Sequence, residues 1–78
     1  MKVVVKLFAA LRSYGPDYQE LELQDNAVLE DIIRKLNLPE KTPLLKIVNG
    51  KFADLNQQLR DKDEIALFPP IAGGAKPG

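Results

Sequence analysis

The sequence predicts a small α+β domain in which one helix packs on one face of a sheet. Three patterns carry that expectation. Residues 2–8 alternate with the period of a strand, Leu29, Ile32, Ile33 and Leu36 recur with the period of a helix, and the apolar run from Ile65 to Phe68 has the size of a buried strand. Pro69 and Pro70 stop that last run, because neither offers a backbone N–H and both fix φ near −65°.

In the first strand Val3, Val5 and Leu7 share one face, and Lys2, Val4, Lys6 and Phe8 share the other, as in a half-buried strand. Ala9 to Tyr14 has room for a single helical turn before the turn signal Gly15-Pro16-Asp17. A second strand is expected from about Tyr18 to Gln24, with Leu21 and Leu23 inward and Glu20 and Glu22 outward, antiparallel to the first. Asp25 and Asn26 are the expected helix N-cap, since their side-chain oxygens can accept from first-turn N–H groups. The helix, of about ten residues, buries Leu29, Ile32, Ile33 and Leu36 and turns Glu30, Asp31, Arg34 and Lys35 to water. Acidic residues early and basic ones late complement its dipole, and Asn37 with Pro39 ends it.

After a loop from Pro39 to Pro43, Leu44 to Val48 reads as a third strand. Its apolar run leaves two inward faces open, Leu45 with Ile47 or Leu44 with Val48. Asn49-Gly50 is a hairpin signal leading to a short edge strand, Lys51 to Ala53, and an irregular segment, Asp54 to Leu59. The final apolar strand must reach the middle of the sheet. Leu67 and Phe68 point to opposite sides of it, so one of them lies away from the helix.

Composition narrows the function classes. With 78 residues there is room for one small core. Eleven basic and eleven acidic residues cancel, so no global field draws the chain to nucleic acid or to anionic membrane. The apolar runs are too short to span a bilayer and no signal-peptide layout opens the chain. There is no Cys and no His, which removes disulfides, thiol nucleophiles and His-based acid–base pairs, makes a zinc site an unexpected feature, and fits a cytoplasmic location.

Phe68-Pro-Pro-Ile-Ala-Gly-Gly74, preceded by Leu59-Arg-Asp-Lys-Asp-Glu64, resembles the ending of the MoaD/ThiS sulfur-carrier family, and the Pro-Pro pair leans toward its MoaD branch. Leu7 to Gly15 resembles the first loop of that family and Val48-Asn49-Gly50 its central turn, so the resemblance spans residues 2–74. It implies a ubiquitin-like β-grasp, a mixed sheet of four to five strands with one main helix, over residues 1–70. Residues 71–78 would form a tail that is disordered when free. The implied reactive group is the carboxylate of Gly74, converted to an acyl-adenylate and then a thiocarboxylate, with Gly73 slim enough to let the tail enter a narrow channel. The implied partners are an adenylating, ubiquitin-activating-like enzyme that uses ATP and the large subunit of molybdopterin synthase; the carrier itself would bind no cofactor and no metal. Phe8, Phe68, Pro69, Pro70, Ile71 and Arg60 are the candidate partner-binding residues. For Phe8 and Phe68 the alternative is that the rings pack on each other and merely cover the sheet.

Two departures from the family pattern bear on this reading. Ala75-Lys-Pro-Gly78 follows Gly74, so Gly74 has a peptide carbonyl until those residues are removed. A processing protease, an appended scar or a lost carrier role would each account for them. Lys76 and Pro77 fit a narrow channel badly, so removal after Gly74 by a metalloprotease is expected. Lys62 stands where the family has Gly between acidic residues; a positive φ there would carry strain of about 1 kcal/mol, and a different turn type is expected instead. The rival readings are a carrier for thiamine or another pathway, a ubiquitin-like modifier of lysines, or an interaction module in which Gly74 is never freed.

Overall fold

The computed structural model describes residues 1–38 and 44–69. The expected loop from Pro39 to Pro43, the second proline of the Pro-Pro pair and the expected tail lie outside the described residues.

Five strands form one sheet: β1 (Lys2–Leu7), β2 (Tyr18–Glu22), β3 (Leu45–Val48), β4 (Lys51–Phe52) and β5 (Glu64–Phe68). A 3-10 helix, Ala9–Tyr14, follows β1, and the α-helix α1 spans Leu29–Lys35. The strand order is β2-β1-β5-β3-β4. β1 and β5 run parallel in the centre, whereas the β1–β2, β3–β5 and β3–β4 pairs are antiparallel. The last strand therefore reaches the middle of the sheet, in the mixed arrangement expected of a β-grasp.

The alternation in β1 sorts as the sequence requires: Val3, Val5 and Leu7 are buried. They meet Ile65 and Leu67 of β5 and Leu29, Ile32 and Ile33 of α1 in one core, with Leu23 and Leu36 packed half-buried at its margin. In β3 it is Leu44 and Val48 that face inward; Leu45 is 37% exposed. Lys46 shares the inward parity, pairing with Leu67; it is half-buried, and its ammonium donates to the Leu44 carbonyl at 3.0 Å.

The helix starts later and is shorter than the sequence suggests, and the reason is tertiary. Asp25 and Asn26 lie in a turn upstream, and the residue before α1 is Val28, in extended conformation. Its N–H donates to the Asp31 carboxylate at 2.9 Å. The first-turn N–H groups that a side-chain cap would have satisfied are taken by backbone: Leu29 N donates to Gln57 O and Glu30 N to Leu55 O, both at 2.9 Å. The irregular stretch before Leu59 thus acts as the cap. At the other end Asn37 has φ +61°, with Asn37 N bonded to Arg34 O and Leu38 N to Ile33 O. That is a full Schellman ending, and its apolar contact is supplied by buried Leu38 and Ile33.

The acidic turn before β5 keeps the backbone conformation that Gly would favour, contrary to the expectation of a different turn: Lys62 has φ +71°. Tight anchoring holds it there. Lys62 N donates to Lys2 O at 2.7 Å, Lys2 N to the Asp61 carboxylate at 2.8 Å, and buried Asp63 accepts from Arg60 N at 2.8 Å. Lys62→Gly should relieve about 1 kcal/mol of strain and give part of it back as unfolded-chain entropy. The expected result is a net gain of about 0.5 kcal/mol, read as a higher urea midpoint at unchanged slope.

Candidate functional site

Cross-strand partners share a face of the sheet, so the pairing register draws the surface opposite α1. One row crosses all five strands: Tyr18, Lys6, Ala66, Ile47 and Phe52. The next row, toward the C-terminal end of β5, holds Leu45 and Phe68 as a pair, with Phe8 beside Phe68. The result is a continuous apolar strip from Phe8 to Phe52. Phe52 is 78% exposed and Tyr18 57%.

Phe8 and Phe68 stack on each other, ring centroids 4.3 Å apart and planes at 11°. Such a pair contributes about 1 kcal/mol beyond its buried area. Phe8 N also donates to Leu67 O at 3.1 Å, which ties the end of β1 to the end of β5. Leu67 is in the core and Phe68 is on the open face, which resolves the choice that the sequence left between them. Ala9, next to Phe8, has φ +54°, the bend that starts the 3-10 helix beside the stack. Toward the other margin Lys6 Nζ meets the Glu64 carboxylate at 2.8 Å. That hydrogen bond and the charge of Glu64 raise the Lys6 pKa above its ordinary 10.5.

Pro69 follows β5 half-buried, while Pro70, Ile71, Gly73 and Gly74 lie outside the described residues. Arg60 is placed elsewhere. It is exposed beside the turn at the start of β5, whereas Phe68, with Phe8 beside it, sits at the far end of that strand, about 13 Å of strand away. There it lines an open hollow of about 950 Å³ with Met1, Lys51, Phe52, Gln58 and Asp61. The structure brings Phe8, Phe68 and Pro69 together and leaves Arg60 apart from them.

Leu45, Ile47 and Phe52 belong to the strip and were not singled out from the sequence. The signal existed in Asn49-Gly50: a two-residue turn with φ of +52° and +86° pairs Val48 with Lys51 and Ile47 with Phe52, so the face of one fixes the face of the other. Among the described residues no group of three His, Cys, Asp or Glu could hold a metal ion, and no helix is long and apolar enough to cross a membrane.

Comparison with known proteins agrees with this geometry. No curated protein is matched by the sequence. Among solved structures, the putative molybdopterin converting factor subunit 1 of Pyrococcus furiosus is 29% identical with a TM-score of 0.77, covering 91% of this chain and 99% of its own. SAMP1 of Haloferax volcanii is 25% identical with a TM-score of 0.78, covering 95% of this chain and all of its own (100%). A chain of the complex of subunits 1 and 2 of the molybdopterin-converting factor of Helicobacter pylori is 25% identical, TM-score 0.65, covering 95% of this chain and 100% of that one. The fold is the ubiquitin-like β-grasp. A profile of the ThiS family matches residues 5–74, from the first strand through the second glycine of the Gly-Gly pair, and on that match the chain belongs to the ThiS family.

Proposed function

We propose that this chain is a sulfur carrier of the MoaD type, the small subunit of a molybdopterin synthase acting in the cytoplasm, with the freed carboxylate of Gly74 as its reactive group. The observation that carries this reading is where the family match stops: it runs to Gly74 and leaves residues 75–78 outside. Gly74 follows the central strand of the sheet by a few residues, so the reactive end would be presented from the most strongly held element of the fold.

The chain supplies the acyl group, and its partners supply the chemistry. A protease first hydrolyses the bond after Gly74. A carboxylate oxygen then attacks the α-phosphorus of ATP in the adenylating partner and pyrophosphate leaves. Hydrosulfide delivered by a sulfur donor next attacks the acyl carbon, AMP leaves, and a thiocarboxylate results. With neither Cys nor His in the chain, no internal thiol or imidazole competes for the activated acyl group. Gly73 adds no side chain to the segment that enters the partner, and neither Pro69 nor Pro70 has a backbone N–H with which to continue the sheet ladder.

The strip from Phe8 and Phe68 to Phe52 is the proposed docking face for the large subunit and the adenylating enzyme, since exposed apolar and aromatic anchors dominate interface energy. The Helicobacter pylori complex of subunits 1 and 2 supports a large-subunit partner. Arg60 lies apart from Phe8 and Phe68 but lines the same hollow as Phe52, so it would take part with a partner that covers the Phe52 end of the strip. A second reading is favoured by the likeness to SAMP1: a ubiquitin-like modifier whose activated Gly74 is transferred to lysine amines.

The test is the intact mass of the protein from its native cell. A species ending at Gly74 and heavier by about 16 Da, for oxygen replaced by sulfur, is the expected result. A chain found only through Gly78 while the pathway is active would overturn the carrier reading.

A further inference from the structure

We propose that Asn49 is a covalent modification site gated by the fold: protected from deamidation in the native chain, it reacts when the β3–β4 hairpin opens, and the product can no longer refold stably. Asn-Gly is the dipeptide in which a backbone nitrogen most readily reaches a side-chain carboxamide, because Gly places no Cβ beside the attacking atom. Here the space around Gly50 is open, with nothing within 4 Å of where a Cβ would stand. The chemistry needs only water. The Gly50 nitrogen loses its proton and attacks Cγ of Asn49, the Cγ–Nδ2 bond breaks, and ammonia leaves a five-membered succinimide. Water then opens either carbonyl, giving an aspartyl or isoaspartyl residue at position 49.

In the native chain that attack is held off by hydrogen bonds at both ends of the carboxamide. Nδ2 donates to the Asp63 carboxylate at 2.8 Å, and Oδ1 accepts from Glu64 N at 2.9 Å. Asn49 N also donates to Glu64 O at 2.8 Å, so the residue is fastened to β5 at three points. To close the ring, Cγ must swing to the Gly50 nitrogen, and both side-chain bonds must break first. Reaction therefore proceeds through an opened hairpin, scaled by the population of that state.

The same contacts make the product incompatible with the fold. Deamidation replaces the donor at Nδ2 with a carboxylate oxygen that faces the Asp63 carboxylate. Asp63 is 8% exposed and already accepts from Arg60 N at 2.8 Å, so it has little freedom to turn away. Two anions sharing this site repel, and the turn that starts the central strand is the element that gives. An isoaspartyl product additionally lengthens the backbone of a two-residue turn. Asn49 would thus record irreversibly that a chain has been unfolded.

The test follows the full-length wild-type chain by intact mass and peptide mapping, in native buffer and in concentrated urea. A gain of about 1 Da at position 49 is expected to be slower in native buffer by about 100-fold or more, as for any reaction confined to an open state. Equal rates in the two conditions would overturn the protection. For the product, Asn49→Asp should be markedly less stable than wild type at neutral pH. Adding Asp63→Asn restores a donor facing an acceptor and should return stability at neutral pH, even if the single variant does not fold. An Asn49→Asp chain as stable as wild type, or a double variant no better than the single, would sink the incompatibility.

Discussion

Incubated with its adenylating partner, ATP and a sulfur donor, a chain ending at Gly74 is expected to gain about 16 Da, and a chain ending at Gly78 is expected to gain nothing. The difference is one of chemistry before it is one of fit. A peptide carbonyl at Gly74 has no anionic oxygen to attack phosphorus, so no amount of binding energy makes it a substrate. The residues that follow also cannot take over: counted from the terminal carboxylate, Pro77 and Lys76 would put a rigid ring and a long cationic side chain where Gly73 and Ala72 stand in the shortened chain. Gly74→Ala on the shortened chain should retain the carboxylate and lose rate, because a methyl group crowds a channel shaped for glycine. Mass spectrometry over time separates the three chains. Activation of the chain ending at Gly78 at its own terminus would remove the basis for placing the reactive group at Gly74, whereas failure of both chains would point to the wrong activating partner.

The parts of the fold that could be read from the sequence are those in which a single element decides its own face. The alternation of β1 and the helical stripe of α1 each need one apolar side, and Val3, Val5, Leu7, Leu29, Ile32 and Ile33 all went to the core. The parts that could not be read depend on neighbours. Leu44 to Val48 is apolar at four of five positions, so its inward face is set by pairing with β5, where Lys46 lies against Leu67 and Val48 against Ile65. The start of α1 escaped because its cap is the backbone of Leu55 and Gln57, more than twenty residues away in sequence, and no local rule can supply it. Asn37 ended the helix as expected because a Schellman turn is local. At the candidate site the same division holds. Phe8 was legible on the outer side of the first strand, the last strand left Leu67 or Phe68 as its counterpart, and Leu45, Ile47 and Phe52 joined only through the register fixed at Asn49-Gly50. Arg60 was adjacent in sequence to the strand that leads to the tail, but a strand carries its two ends to opposite poles.

Leu67, buried on that strand, and Phe52, exposed on the open face, should separate folding from docking when substituted. Leu67 has no exposed surface and lies against the central β1 partner Leu7. Leu67→Ala deletes buried carbon from a core that cannot collapse around the loss and should cost about 2–5 kcal/mol. For a domain of this size that is a fall in Tm of roughly 10–30 °C, enough to leave part of the chain unfolded at growth temperature. On the opposite side, Phe52→Ala removes a ring that is 78% exposed and should change stability by less than about 0.5 kcal/mol. If the strip is the docking face, the same change should weaken binding to the large subunit or the adenylating enzyme by about tenfold, the size of a single anchor residue. Phe68→Ala falls between the two, since it breaks the stack with Phe8 and also strips the face. Thermal denaturation and titration against each partner on the same three variants distinguish the outcomes. Binding that follows the folded fraction in every variant, with Phe52→Ala indistinguishable from wild type, would mean that the apolar strip only covers the sheet and that partners grip the chain by its C-terminal segment alone.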